Sequence, residues 1–112
     1  MKNKPKMKWK GREAKQAAEQ GKRKALLSAA IFVEGEATVR TPVDTGNLRS
    51  SLTHSVDNDT ARVGTNVEYA PYLEYGTDRM PAQAYLRPAL DQNINRINKL
   101  MRDIIGREIR GI

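Results

Sequence analysis

Three groups of residues in this chain could do chemistry, and each makes a different demand on the fold. Asp44-Thr45-Gly46 is the tripeptide that carries the catalytic carboxylate of aspartic proteases. In those enzymes two such carboxylates meet at a dimer axis, share a proton and activate water. Ser50 or Ser51, His54 and Asp57 hold the residue types of a nucleophilic relay. Glu68, Glu74 and Asp78 are carboxylates of the kind that bind a hard cation.

None of these groups has the setting its chemistry requires. Aspartic proteases are almost wholly β-stranded, whereas the second protease-like run here, "IIGR", lies inside "NINRINKLMRDIIGREI", whose apolar spacing is helical. Asn47 replaces the small residue expected after the glycine, and no glycine-rich flap is visible. Triads assemble from converging segments, but the serines, His54 and Asp57 lie along one short strand and its turn with no oxyanion loop. His54 falls on the apolar face of that strand and reads as a hydrogen-bonded core histidine. The three carboxylates lack a repeated ligand spacing, and one histidine with no cysteine leaves little for a transition metal. The residues therefore predict no catalytic, cofactor-binding or metal site.

The elements that would position these residues predict a single α+β domain: a long N-terminal helix and a C-terminal amphipathic helix packed on a small antiparallel β-sheet. From about Lys15 to Val39 no proline intervenes and helix formers dominate, with Leu26, Ala29 or Ala30, Val33 and Ala37 forming one apolar stripe. Pro42 stops that helix. "VDTGNLRSSL" then reads as a sharp turn into a short helix, with Asp44 or Thr45 accepting hydrogen bonds from free backbone amides and Leu48 and Leu52 on one face. Leu52, His54 and Val56, the turn "DNDT", and Ala61, Val63, Thr65 and Val67 predict a hairpin with one buried face. "EYAPYLEYGT" predicts about one helical turn, with Pro71 at its start and Gly76 as a left-handed stop. Pro88 is placed at the first position of the last helix, whose stripe is Leu90, Ile94, Ile97, Met101 and Ile104, with an end near Gly106.

Composition narrows the class of function. The chain has 112 residues and a net charge of +7. Residues 1–24 carry ten Lys and Arg against two Glu, and residues 25–112 carry ten against eleven acidic residues, so the excess sits at the front. Residues 1–11 are read as a basic flexible arm and 12–112 as the folded domain. Lys2, Lys4, Lys6, Lys8, Lys10 and Arg12 are the candidates for contact with nucleic acid or an acidic protein surface. No apolar run reaches the length of a membrane span and the N-terminus has no secretory pattern, which predicts a protein of the cytoplasm without membrane contact. The apolar stock is mostly Leu, Ile and Val with six aromatics, so the core is thin and association between subunits would add to it.

Four tyrosines, Tyr69, Tyr72, Tyr75 and Tyr85, cluster mid-chain. Amphipathic rings of this kind are enriched at interfaces. Tyr69 and Tyr72 are expected to share a face with Leu73 and fill the core. Tyr75 points elsewhere and is the stronger interface candidate.

Taken in order, "TPVDTGNLRSSL", "VGTNVEYAPYLEYGT" and "MPAQAYLRPAL" between two helices resemble the small tail-component family of long-tailed bacteriophages, which includes head-to-tail joining and tail-completion proteins. The resemblance covers roughly residues 12–105 and is specific in combination. It implies a non-enzymatic structural subunit of the virion that assembles into a ring, a hexamer, at the head-tail junction, the neck or the upper end of the tail, after assembly in the host cytoplasm. Its implied partners are other neck and tail proteins. Pro42, Asp44, Thr45, Gly46, Leu48, Gly76 and Pro88 become framework positions, and Tyr69, Tyr72, Glu74, Tyr75 and Arg87 candidate interface positions. The competing expectation is a DNA-binding accessory protein that acts through the lysine-rich arm, which lies outside the resemblance.

Overall fold

The computed structural model describes residues 11–42, 46–78 and 81–111. The basic arm through Lys10, and the tip of the turn at residues 43–45 with its expected Asp44 or Thr45 cap, lie outside the described residues.

Helix α1 runs Gly11–Arg40, starting four residues before the helix-rich composition becomes evident. At about 1.5 Å per residue it is roughly 45 Å long. It ends where expected: the backbone N–H of Thr41 donates to the carbonyl of Ala37 at 3.0 Å, the Thr41 hydroxyl donates to the same carbonyl at 2.7 Å, and Pro42 follows. Helix α2 (Gly46–Ser51) buries Leu48, with Leu52 just after it, on one face as the spacing predicts. Strands β1 (Thr53–Val56) and β2 (Ala61–Gly64) pair antiparallel with His54 opposite Val63 and Val56 opposite Ala61. The Asp57 N–H donates to the Thr60 carbonyl at 2.8 Å and closes the "DNDT" turn. Thr65 and Val67, expected in the second strand, lie beyond it. Helices α3 (Ala70–Tyr75), α4 (Leu86–Asp91) and α5 (Ile94–Arg110) complete the order.

The architecture is α+β, with two parts along α1. At its C-terminal end Ala37, Leu48, Leu52, Ala70, Leu73, Tyr85 and Ala89 form one buried cluster. This is the head of the molecule. Toward its N-terminus α1 runs antiparallel to α5 as a two-helix stalk: Arg40 reaches Gln92 at one end, and Gly21 meets Ile105 and Glu108 further along. The stalk contact is built on small residues, since Ala17, Gly21, Ala25 and Ala29 are buried four apart on α1. A Cβ on Gly21 would lie 3.1 Å from the Ile105 Cα, a tight contact that glycine avoids where the helices approach. Alanine contributes little area. Seven of the twelve buried apolar residues are alanines, and Tyr85 and Leu48 are the largest fully buried side chains. The core is thin, as its composition predicts.

The C-terminal region departs from the expected single helix. It breaks at Gln92 and Asn93, where the Asn93 side chain donates to the Ala89 carbonyl at 2.9 Å and is buried. Ala89, Asn93 and Ile97 face inward, while Leu90 and Ile94 are 45% and 46% exposed. Nor does Gly106 end the last helix, which continues to Arg110 because tertiary contact with α1 outweighs the propensity cost of one glycine.

Candidate docking surface

Glu74, near the end of α3, organises the surface that carries most of the candidate interface residues. Its Oε1 accepts the backbone N–H groups of Tyr85 at 3.2 Å and Leu86 at 2.9 Å, and its Oε2 that of Arg87 at 3.0 Å. These are the first amides of α4, which a helix leaves without internal partners. Pro88 comes next and has no N–H to satisfy. It therefore sits at the third helical position rather than the first, because Glu74 supplies from a distance the cap that Tyr85 does not. A carboxylate also suits the positive end of the helix dipole.

Gly76 ends α3 with φ 81° and ψ 174°: the positive φ expected of it, followed by extended rather than left-handed geometry. That turn lets the chain double back so that the Gln83 N–H reaches the Leu73 carbonyl at 2.7 Å. Ala70 and Leu73 face the core, and Tyr69 is half-buried against it. Tyr72 does not join them. It is 57% exposed, because one turn of helix anchored by Ala70 and Leu73 turns position 72 outward. Tyr75 is 70% exposed and stacks under the Arg87 guanidinium at 5.9 Å. Tyr72, Tyr75 and Arg87 are thus exposed around one buttressed corner. Tyr85 is the opposite case, 1% exposed at the centre of the core. Burial, then the Glu74 carboxylate and Tyr69, raise its hydroxyl pKa above the ordinary value of 10.0.

The other candidates are not brought together. Ser51 donates to the Leu48 carbonyl at 2.8 Å and contacts the Thr65 hydroxyl. His54 Nδ1 lies 2.9 Å from Glu34 on α1, and Asp57 pairs with Arg62, so no relay forms from Ser51, His54 and Asp57. His54 instead ties the hairpin to α1. A second tie joins Lys22 to Asp59 at 2.6 Å, and this bond, with that to Glu19, raises the lysine pKa. Among the described residues no group of three His, Cys, Asp or Glu could hold a metal ion. No helix among them is long and apolar enough to cross a membrane.

Between the hairpin and α4/α5 an open groove of about 580 Å³ exposes apolar side chains of α1, among them Leu26 and Val33, with Val63 on one wall and Leu90 and Met101 on the other. Sequence periodicity missed this groove, because Leu90, expected on the inward stripe, stands half-exposed on its wall.

Comparison with curated proteins and with solved structures gives no match. Residues 7–76 match the family model described as "Bacteriophage HK97-gp10, putative tail-component". The matched stretch takes in α1, the Asp44-Thr45-Gly46 tripeptide, the hairpin and α3. The chain belongs to this family of phage tail components.

Proposed function

We propose that this member of the tail-component family is a non-enzymatic structural subunit that closes into a ring at the head-tail junction or upper end of the tail, acting in tail completion or head-tail joining. The observation that carries the reading is a family member with a thin core and large apolar side chains left exposed on several faces. Leu27 and Ile31 on α1, Leu90 and Ile94 beside the groove, and Tyr72 and Tyr75 on α3 are all more than 40% exposed. Exposed apolar groups on different faces suit heterologous contacts, in which one patch of a subunit meets a different patch of the next and the rotation closes a ring. A hexamer is the ring size implied by the resemblance in the sequence. Such a ring has two faces, one for the tail tube and one for the neck, with its partners among other virion proteins and its place in the particle.

Electron microscopy of particles made without the protein tests the role. Tails without attached heads support joining or completion; tubes of uncontrolled length mean termination of the tube instead. Failure to find the chain in purified particles overturns the reading.

A further inference from the structure

The fold concentrates positive charge in a way the linear sequence does not. In sequence the excess of cations ends near Lys24, and the remainder is close to neutral. Because α5 lies antiparallel along α1, five further cations, Arg96, Lys99, Arg102, Arg107 and Arg110, join those of the first half of α1 in one stalk. Among the described residues, 11–24 and 96–111 together carry ten Lys and Arg against four acidic residues, and those between carry four against eight. The molecule is bipolar.

The two poles differ in how far they neutralise themselves. In the head, Glu36 pairs with Arg40, Glu34 with His54, Asp57 with Arg62, and Glu74 is taken up by backbone amides. On the stalk, Lys22 and Lys24 pair with Glu19 and Glu108, and Lys99 with Asp103. Arg12, Lys15, Arg23, Arg96, Arg102, Arg107 and Arg110 are exposed and have no carboxylate within ion-pair distance among the described residues.

We infer that the α1/α5 stalk is a sequence-independent binding surface for the phosphate backbone of double-stranded nucleic acid. Six of the seven unpaired stalk cations are arginines, whose planar guanidinium suits phosphate. An acidic protein surface answers less well: among the described residues, the carboxylates left exposed and unpaired on this chain's own head, Glu68, Asp78 and Asp91, are few and lie on separate segments. A duplex presents about one phosphate charge per 1.7 Å, and the counterions condensed on it are released when stalk cations replace them. The head of a second copy offers only these scattered carboxylates. Arginine and lysine contacts to phosphate fix a protein on a duplex without reading its sequence, and that is the contact inferred for this surface. This surface is a property of the subunit, and its measurement does not depend on ring formation.

The test is fluorescence anisotropy of the full chain with labelled random-sequence duplexes across a salt series. Binding should weaken about 10³-fold between 50 and 200 mM salt, with no preference among sequences. The combined variant Arg102→Gln, Arg107→Gln, Arg110→Gln should bind at least tenfold more weakly and lower the slope of log K against log salt by about 2 to 3. Arg49→Gln with Arg62→Gln, on the head, should bind as the parent does, and circular dichroism should show equal helix content in every variant. Unchanged binding by the triple variant while deletion of residues 1–10 abolishes it would assign the affinity to the arm and overturn the inference. Salt-insensitive binding, no binding at low salt, or displacement by polyglutamate as effective per charge as by duplex would overturn it too.

Discussion

The carboxylate of Glu74 stands over the first turn of α4, 2.9 Å from the amide of Leu86, and holds together two short helices that neither propensity nor length would stabilise alone. Removing it leaves up to three amides without a partner. Glu74→Ala should cost about 1–2 kcal/mol in urea unfolding, as the loss of a helix cap does. Glu74→Gln should fall between Ala and the parent, and Glu68→Ala, on an exposed glutamate, should stay within about 0.5 kcal/mol. Equal effects at positions 68 and 74 would show the cap to be idle.

Two glycines on α1 should behave differently. A Cβ at Gly35 meets nothing within 4 Å, so Gly35→Ala should stabilise the chain by about 1 kcal/mol through helix propensity alone. At Gly21 the added carbon would press on Ile105 and Glu108. Gly21→Ala should gain less than Gly35→Ala, and Gly21→Leu should cost about 1–3 kcal/mol by forcing α5 away. Thermal melts of the three variants check the order.

Alkaline stability should report Tyr85. Its folded pKa is raised, so the native state holds the phenolic proton where the unfolded chain has released it. This contribution is whole below the unfolded value of 10.0 and is lost as pH rises toward the folded value. Urea midpoints from about pH 8 to about pH 11 should therefore fall, and in Tyr85→Phe the fall should be shallower. Parallel profiles would mean that Tyr85 is not the group titrating.

Tyr72 and Tyr75 stand apart from the core. Tyr72→Ser with Tyr75→Ser should change stability by about 0.5 kcal/mol or less while reducing incorporation into particles, read by complementation of a virus lacking the gene. Full complementation would remove this corner from the proposed interface.

Asp44 should be dispensable for any hydrolysis. Unfolded polypeptide incubated with the protein at acidic and neutral pH should show no cleavage that Asp44→Asn removes. Such a cleavage would return the Asp44-Thr45-Gly46 tripeptide to catalysis.

What was legible in the sequence is what local physics decides. Pro42 ending α1, the hairpin turn at residues 57–60, and Leu48 with Leu52 facing inward all follow from dihedral limits or period, and all are present. What was not legible depends on partners distant in the chain. Pro88 looked like a helix start because the cap from Glu74 lies eleven to thirteen residues away. Tyr72 looked buried because a six-residue helix shows too little period to fix its face. The stripe from Leu90 through Ile94 is continuous in sequence, but the neighbouring face, Ala89, Asn93 and Ile97, is the one that packs inward. The candidate interface followed the same rule: Tyr75 and Arg87 were named separately, and only the fold makes them a stacked pair.

The alanine and glycine seam between α1 and α5 joins side chains 84 positions apart, Lys24 and Glu108. A ribosome therefore makes the first helix before its mate, and the seam stays wetted until the residues of α5 are made. Closure over so long a loop is slow relative to the local hairpin. Pulse-labelled hydrogen exchange should find the amides around Gly21 protected after those of the hairpin, so that the charged end of the molecule is the last part to become rigid.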